Sequence, residues 1–147
     1  MYKRQLTAVL SQDLMTKRLF RGVYPMDRLP TRRDGAYVIN VDNHDEPGSH
    51  WVAVYVHKGD VEYFDSYGRA PVDKRLLRFL GPNFTFNSVV LQRLFTNACG
   101  FFCLYFLLKR ARGVSANRIL YILSRTDSGF VVKNYVLTLY KSVFCWK

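Results

Sequence analysis

The first apolar stripe lies at Leu6, Val9 and Leu10, a spacing that predicts a short helix over 5–14. Residues 20–34 lose the pattern; Gly22, Pro25, Pro30 and several arginines make this a basic loop. β-Branched and aromatic residues then fill 36–41, 50–57 and 61–64, predicting three strands. Turn residues including Pro47-Gly48 separate the first two strands, and Lys58-Gly59-Asp60 reads as a hairpin turn that makes the third antiparallel. Leu76, Leu77 and Leu80 predict a helix over 72–80, stopped by Gly81-Pro82-Asn83, and residues 84–91 read as a further strand. A ten-residue apolar run, 99–108, opens a helix reaching about Arg112, with Gly113 in the C′ position and Lys109, Arg110 and Arg112 at its negative end. Ser115 caps a helix to Leu123. Thr126 to Ser128 cap a last one to Tyr140, with Val132, Tyr135, Val136 and Leu139 facing inward. Together these predict an α+β domain spanning 1–147, a central, mainly antiparallel sheet packed by helices.

The ten-residue run is half the length a membrane crossing needs, so it predicts a buried helix and no membrane span. Met1-Tyr-Lys-Arg-Gln is not followed by an apolar signal-peptide core. Hydrophobic residues make up 49% of the chain, which excludes a disordered protein. Three cysteines, an odd number, argue against a disulfide framework and for a reducing compartment. Cys99 and Cys103 have helical metal-ligand spacing, but no second pair joins them among His44, His50 and His57, so neither a metal nor a small-molecule cofactor is expected. The net charge of +11 predicts salt-sensitive, non-specific contact with DNA or another polyanion. Nothing in the chain reads bases, and the expected state is a monomer.

Chemistry concentrates in four places. Cys99 falls where the apolar helix begins, and the positive end of a helix favours the reactive thiolate. Taken alone, such a cysteine is more often a small core residue; Cys103, one turn on, is read that way. Gly100 leaves room for a substrate carbonyl. His50 opens a strand and Asp65 follows the end of its hairpin partner, so both fall at one end of the sheet. A carboxylate there can orient an imidazole that serves the thiol. His57, at the far end of the same strand, and His44, in a polar loop, read as surface residues. Gln92 supplies an amide that, with the Cys99 backbone N–H, can receive a developing oxyanion.

The order His50-Trp51, Asp65, Gln92, Asn97-Ala98-Cys99-Gly100-Phe101-Phe102-Cys103 resembles the adenovirus protease (adenain) family, which is related to the Ulp1-type SUMO proteases. The segment from Phe64 to Gly68 joins the match, and residues 20–30 resemble the family's N-terminal loop more loosely. The resemblance covers roughly 20–112. It implies a permuted papain-like cysteine protease fold with the nucleophile at a helix N-terminus. It further implies Cys99 as nucleophile, His50 as base, Asp65 as third member and Gln92 as oxyanion donor, with Trp51 packed near the His50 ring. The implied activity is a cysteine endopeptidase of a DNA virus or virus-like element that cleaves capsid and other structural precursors in the virion and host nucleus. DNA is an implied activator. The adenovirus enzymes also take a disulfide-linked activating peptide on a cysteine upstream of the glutamine; no cysteine precedes Cys99 here, and that route lacks its attachment point. Asp65 stands where the adenovirus enzymes usually carry glutamate, the choice of the Ulp1-type enzymes, and the chain is shorter after Gly113.

Two rivals remain open. The same chemistry suits a protease for ubiquitin-like modifiers, for whose broad grip this chain has little room. The charge alone suits a non-catalytic nucleic-acid-binding protein.

Overall fold

The computed structural model describes residues 1–45, 50–93 and 97–145. Helix α1 (Lys3–Gln12) leads to β1 (Phe20–Pro25), a 3-10 turn (Met26–Arg28), β2 (Gly35–Asn40), β3 (Trp51–His57) and β4 (Asp60–Phe64). Then follow α2 (Lys74–Leu80), β5 (Phe84–Phe86), α3 (Cys99–Ala111), α4 (Ala116–Ser124) and α5 (Ser128–Phe144). The strands form one sheet in the order β1-β2-β3-β4-β5. The three central strands are antiparallel, and each edge strand runs parallel to its neighbour.

Period-two alternation explains why the sheet takes helices on both faces. In β3, Trp51, Ala53 and Tyr55 join the cluster beneath α1, α3, α4 and α5, while Val52, Val54 and Val56 join a second cluster with Leu76, Phe79 and Leu80 of α2. Phe102, Leu104, Leu107 and Leu108 make α3 the centre of the larger cluster. At about 1.5–3 kcal/mol for each large apolar side chain buried, this helix is held firmly on the sheet. Its C-terminus closes with Gly113 at φ 84°, where the Gly113 N–H bonds the Arg110 carbonyl and the Val114 N–H bonds that of Lys109. The β3–β4 turn uses Lys58 and Gly59, both at positive φ, and the Asp34 carboxylate accepts both of their N–H groups.

Four expectations need correcting. Residues 20–34 are no simple loop: Phe20–Pro25 forms an edge strand, where Pro25 needs no ladder donor and a bulge at Phe20/Gly22 absorbs the glycine. The strand expected over 84–91 ends at Phe86, because the Asn87 side chain turns to bond the Asp65 backbone. The last helix continues to Phe144 past a non-helical Tyr140, and Leu139 is 47% exposed while Val132 and Val136 are buried. Tyr140 leaves helical geometry as its hydroxyl reaches Asp13. His50 lies just before the strand, not in it. The Pro47-Gly48 turn falls outside the described residues.

Asp13 ties three helices together. Only 1% exposed, it accepts both Arg112 terminal nitrogens (3.1 and 2.7 Å), the Tyr140 hydroxyl and the Thr16 hydroxyl (2.7 Å). Burial works against its charge, but these hydrogen bonds, led by Arg112, prevail and lower its pKa to about 2. A depressed pKa means stabilisation that is present above the ordinary carboxylate value of 3.8 and is lost as pH falls through about 2. Asp13→Asn is expected to cost about 2 kcal/mol at neutral pH. In urea melts, the gap from the native protein should shrink as pH is lowered; a pH-independent gap would contradict this role.

Candidate active site

The register of the central hairpin builds the site. Ala53 pairs with Phe64, so the residues just before β3 and just after β4 meet at one end of the sheet. The His50 carbonyl accepts the Val41 N–H at 3.1 Å, which fixes the backbone of that residue as β2 ends. His50 Nε2 lies 2.8 Å from Asp65 Oδ1, and both side chains are largely buried. The Tyr67 ring packs on the imidazole with centroids 4.8 Å apart, and the Tyr67 N–H also bonds Asp65 Oδ1 at 2.8 Å.

The thiol arrives from the other layer. Cys99 is the first residue of α3, whose N-cap, Ala98, offers no side-chain acceptor to the exposed N–H groups of the first turn. Cys99 sits near His50 and the backbone N–H groups of Trp51 and Gly100, each of which favours its thiolate. With Nε2 given to Asp65, Nδ1 is the ring nitrogen left for the thiol. Burial raises the Cys99 pKa, yet the His50 hydrogen bond and the backbone donors outweigh it, and the net shift is downward. Burial likewise opposes the charged form of His50, but the hydrogen bonds to Asp65 and then Cys99 prevail and push it up to about 9. The two shifts run in the directions that favour a thiolate–imidazolium pair. Cys103 differs in kind: fully buried, its thiol is pushed well above the ordinary value, first by burial and then by the Cys99 charge.

Gln92 is 2% exposed and held from both ends. Its backbone N–H and that of Leu91 bond the Ser66 carbonyl at 2.9 Å, and the Ser66 hydroxyl donates to Gln92 Oε1 at 2.5 Å. That bond commits the amide oxygen to Ser66 and turns the NH₂ away from it. Gly68, at φ 68°, permits the close approach: a Cβ there would stand 2.8 Å from the Val89 backbone. The loop over 94–96, between Gln92 and the helix, lies outside the described residues.

Thus the structure brings Cys99, His50 and Asp65 together, with His50 and Asp65 hydrogen-bonded, and Gln92 is anchored to the residue after Asp65. His44 and His57 take no part; His44 pairs with Asp27 on the surface and His57 is exposed. Two neighbours were invisible in sequence. Asn87, 3% exposed, clamps the Asp65 backbone by accepting its N–H at 3.0 Å and donating to its carbonyl at 2.6 Å, and Ser66 holds Gln92. Such polar residues look like loop positions until their burial is known. The space over Gly100 is also filled: a Cβ there would meet Met1 Sδ at 2.6 Å, and the Trp51 indole N–H donates to the Met1 carbonyl at 3.2 Å. Among the described residues no group of three or more His, Cys, Asp or Glu side chains is placed to hold a metal ion, and no helix is long and apolar enough to cross a membrane.

Comparison with known proteins places the fold. No protein-family model and no curated protein matches the sequence. Among solved structures, the crystal structure of the ASFV pS273R protease superposes with a TM-score of 0.60 over 89% of this chain at 20% identity. This chain spans 65% of the length of that one. A selenomethionine crystal structure of the same protease aligns over 66% of this chain and 43% of the other, at 26% identity and a TM-score of 0.44. The fold is therefore the α+β papain-like arrangement, with the histidine strand ahead of the cysteine helix in chain order. At this identity the likeness shows the fold, and it does not single out the adenovirus enzymes.

Iodoacetamide at pH 6 should alkylate Cys99 fastest, with Cys103 unlabelled in the folded protein and Cys145 slow. Mass spectrometry of the peptides checks this. His50→Ala should abolish the preference, and equal labelling of Cys99 and Cys145 in the native protein would contradict an activated thiol.

Proposed function

We propose that this protein is a cysteine endopeptidase. The observation that carries the reading is the Cys99–His50–Asp65 array, with its thiol at a helix N-terminus. In this reading the Cys99 thiolate attacks a scissile carbonyl, and His50 gives its proton to the leaving amine. His50 then takes a proton from water, which hydrolyses the thioester. Asp65 holds the ring and favours its charged form. The backbone N–H of Cys99 and the amide of Gln92 receive the oxyanion. Ser66 is a positioning residue: by engaging Gln92 Oε1 it presents the amide nitrogen for that purpose.

The resemblance at the cysteine block and the fold shared with a viral protease both favour a viral or virus-like source and structural precursors as substrates. A protease of ubiquitin-like modifiers is compatible with the same site. The net charge of +11 favours DNA as an accessory polyanion. Reaction with SUMO or ubiquitin vinyl-sulfone probes separates the modifier reading, and turnover with and without DNA tests activation.

Digestion of a denatured fluorescent protein should disappear in Cys99→Ala with the fold retained by circular dichroism; persistent turnover would overturn the assignment. In the native enzyme kcat/KM should decline as pH rises through about 9, because the imidazolium that protonates the leaving group is present below that value and lost above it. A rate still climbing at pH 10 would exclude His50 as the acid.

Gln92→Ala should lower kcat by roughly 10²-fold, the usual loss for one oxyanion donor. Ser66→Ala should lower kcat about tenfold at constant KM, and add nothing in a Gln92→Ala background. Additive losses would make Ser66 merely structural.

A further inference from the structure

We infer that the large cleft beside Cys99 receives an extended peptide carrying acidic side chains; this rests on the proposed protease reading and gives its substrate class. The cleft has a volume of about 1120 Å³, enough for several residues of extended chain. It lies beside the start of α3: its wall includes Trp51, the residue after His50, and Asn97 and Phe101, which flank Cys99 in the chain. Tyr24 adds to the aromatic lining.

Charge decides what fits. Lys3 of α1, Arg28 of the 3-10 turn and Lys133 of α5 reach the cleft from three separate elements, and all three are exposed. None has a carboxylate partner among the described residues. Four arginines elsewhere are committed: Arg75 to Asp73, Arg110 to Glu62, Arg112 to Asp13, and Arg32 to the carbonyls of Phe79 and Leu80. No aspartate or glutamate lines the cleft among the described residues, and the one histidine there, His44, is paired with Asp27 outside it. Three cations without a carboxylate partner among the described residues, in a cleft that aromatic side chains also line, leave a site complementary to carboxylates on an otherwise apolar or small-residue strand. Three cations interspersed with the aromatic and apolar residues of the lining favour a peptide over nucleic acid, whose phosphate at every nucleotide calls for a denser row of cations.

The test uses the full chain as Cys99→Ala and a fluorescein-labelled decapeptide of Gly, Ala and Ser with three Glu, set against its three-Gln counterpart. Fluorescence polarisation in 150 mM salt should show the Glu peptide binding at least ten times more tightly. That preference should vanish in Lys3→Gln/Arg28→Gln/Lys133→Gln. It should persist in Lys17→Gln/Arg118→Gln/Arg125→Gln, which loses the same charge outside the cleft. Equal affinity for the two peptides, or equal loss in both triple variants, would overturn the proposal. So would an oligothymidylate that depends on the cleft cations while the Glu peptide does not. Active enzyme on a mixed peptide library separates the two readings. Binding with no cleavage sinks the protease and leaves the acidic site standing. Cleavage with no enrichment of Asp or Glu near the cut sinks the acidic site and leaves the protease.

Discussion

One electrostatic pairing, of the imidazole of His50 with the thiol of Cys99, couples the two halves of the molecule at the point where chemistry would occur. The imidazole belongs to the sheet and the thiol to a helix laid across it. Each is costly to charge where it sits, since burial opposes both the thiolate and the imidazolium. Asp65 on the far side of the ring, their mutual interaction, and the N–H groups of Trp51 and Gly100 at the sulfur together offset that burial and shift both groups toward the charged pair. The packing of α3 on β3 therefore sets the electrostatics. A small shift of the helix would weaken the contact that compensates the burial of both charges.

The short turn after β4 serves both poles of the site. Asp65 fixes the histidine, Ser66 fixes Gln92, Tyr67 stacks on the imidazole, and Gly68 lets the backbone near Val89 come close enough for these bonds to form. Asn87 fastens the turn from the next strand's end. Orientation of the ring and of the amide thus depends on four consecutive residues. That gives a physical reason for the aromatic and glycine positions around the acid, beyond the acid itself.

Much of this was legible in sequence, and the reasons are specific. The hairpin from 51 to 64 was readable because alternation and Lys58-Gly59 leave one register, and that register alone brings His50 and Asp65 together. The start of α3 was readable because a polar segment gives way abruptly to the run from Cys99. Edge strand β1 was not, because Arg21, Gly22 and Pro25 obscure its period, and its partner lies in a parallel pairing across the chain. Ser66 and Asn87 were not, since a buried side-chain hydrogen bond leaves no periodic trace. Leu139 misled, because helical spacing fixes a face only while the helix stays regular, and Tyr140 breaks it.

The central claim is that Cys99 and His50 rest as an ion pair. Nitrogen-15 NMR of the His50 ring measures it directly. The account predicts a doubly protonated ring at pH 7.5 that titrates near pH 9, with its pKa falling when Cys99 is replaced by alanine. A ring that is neutral at pH 7.5, or whose titration is unmoved by loss of the thiol, would contradict it.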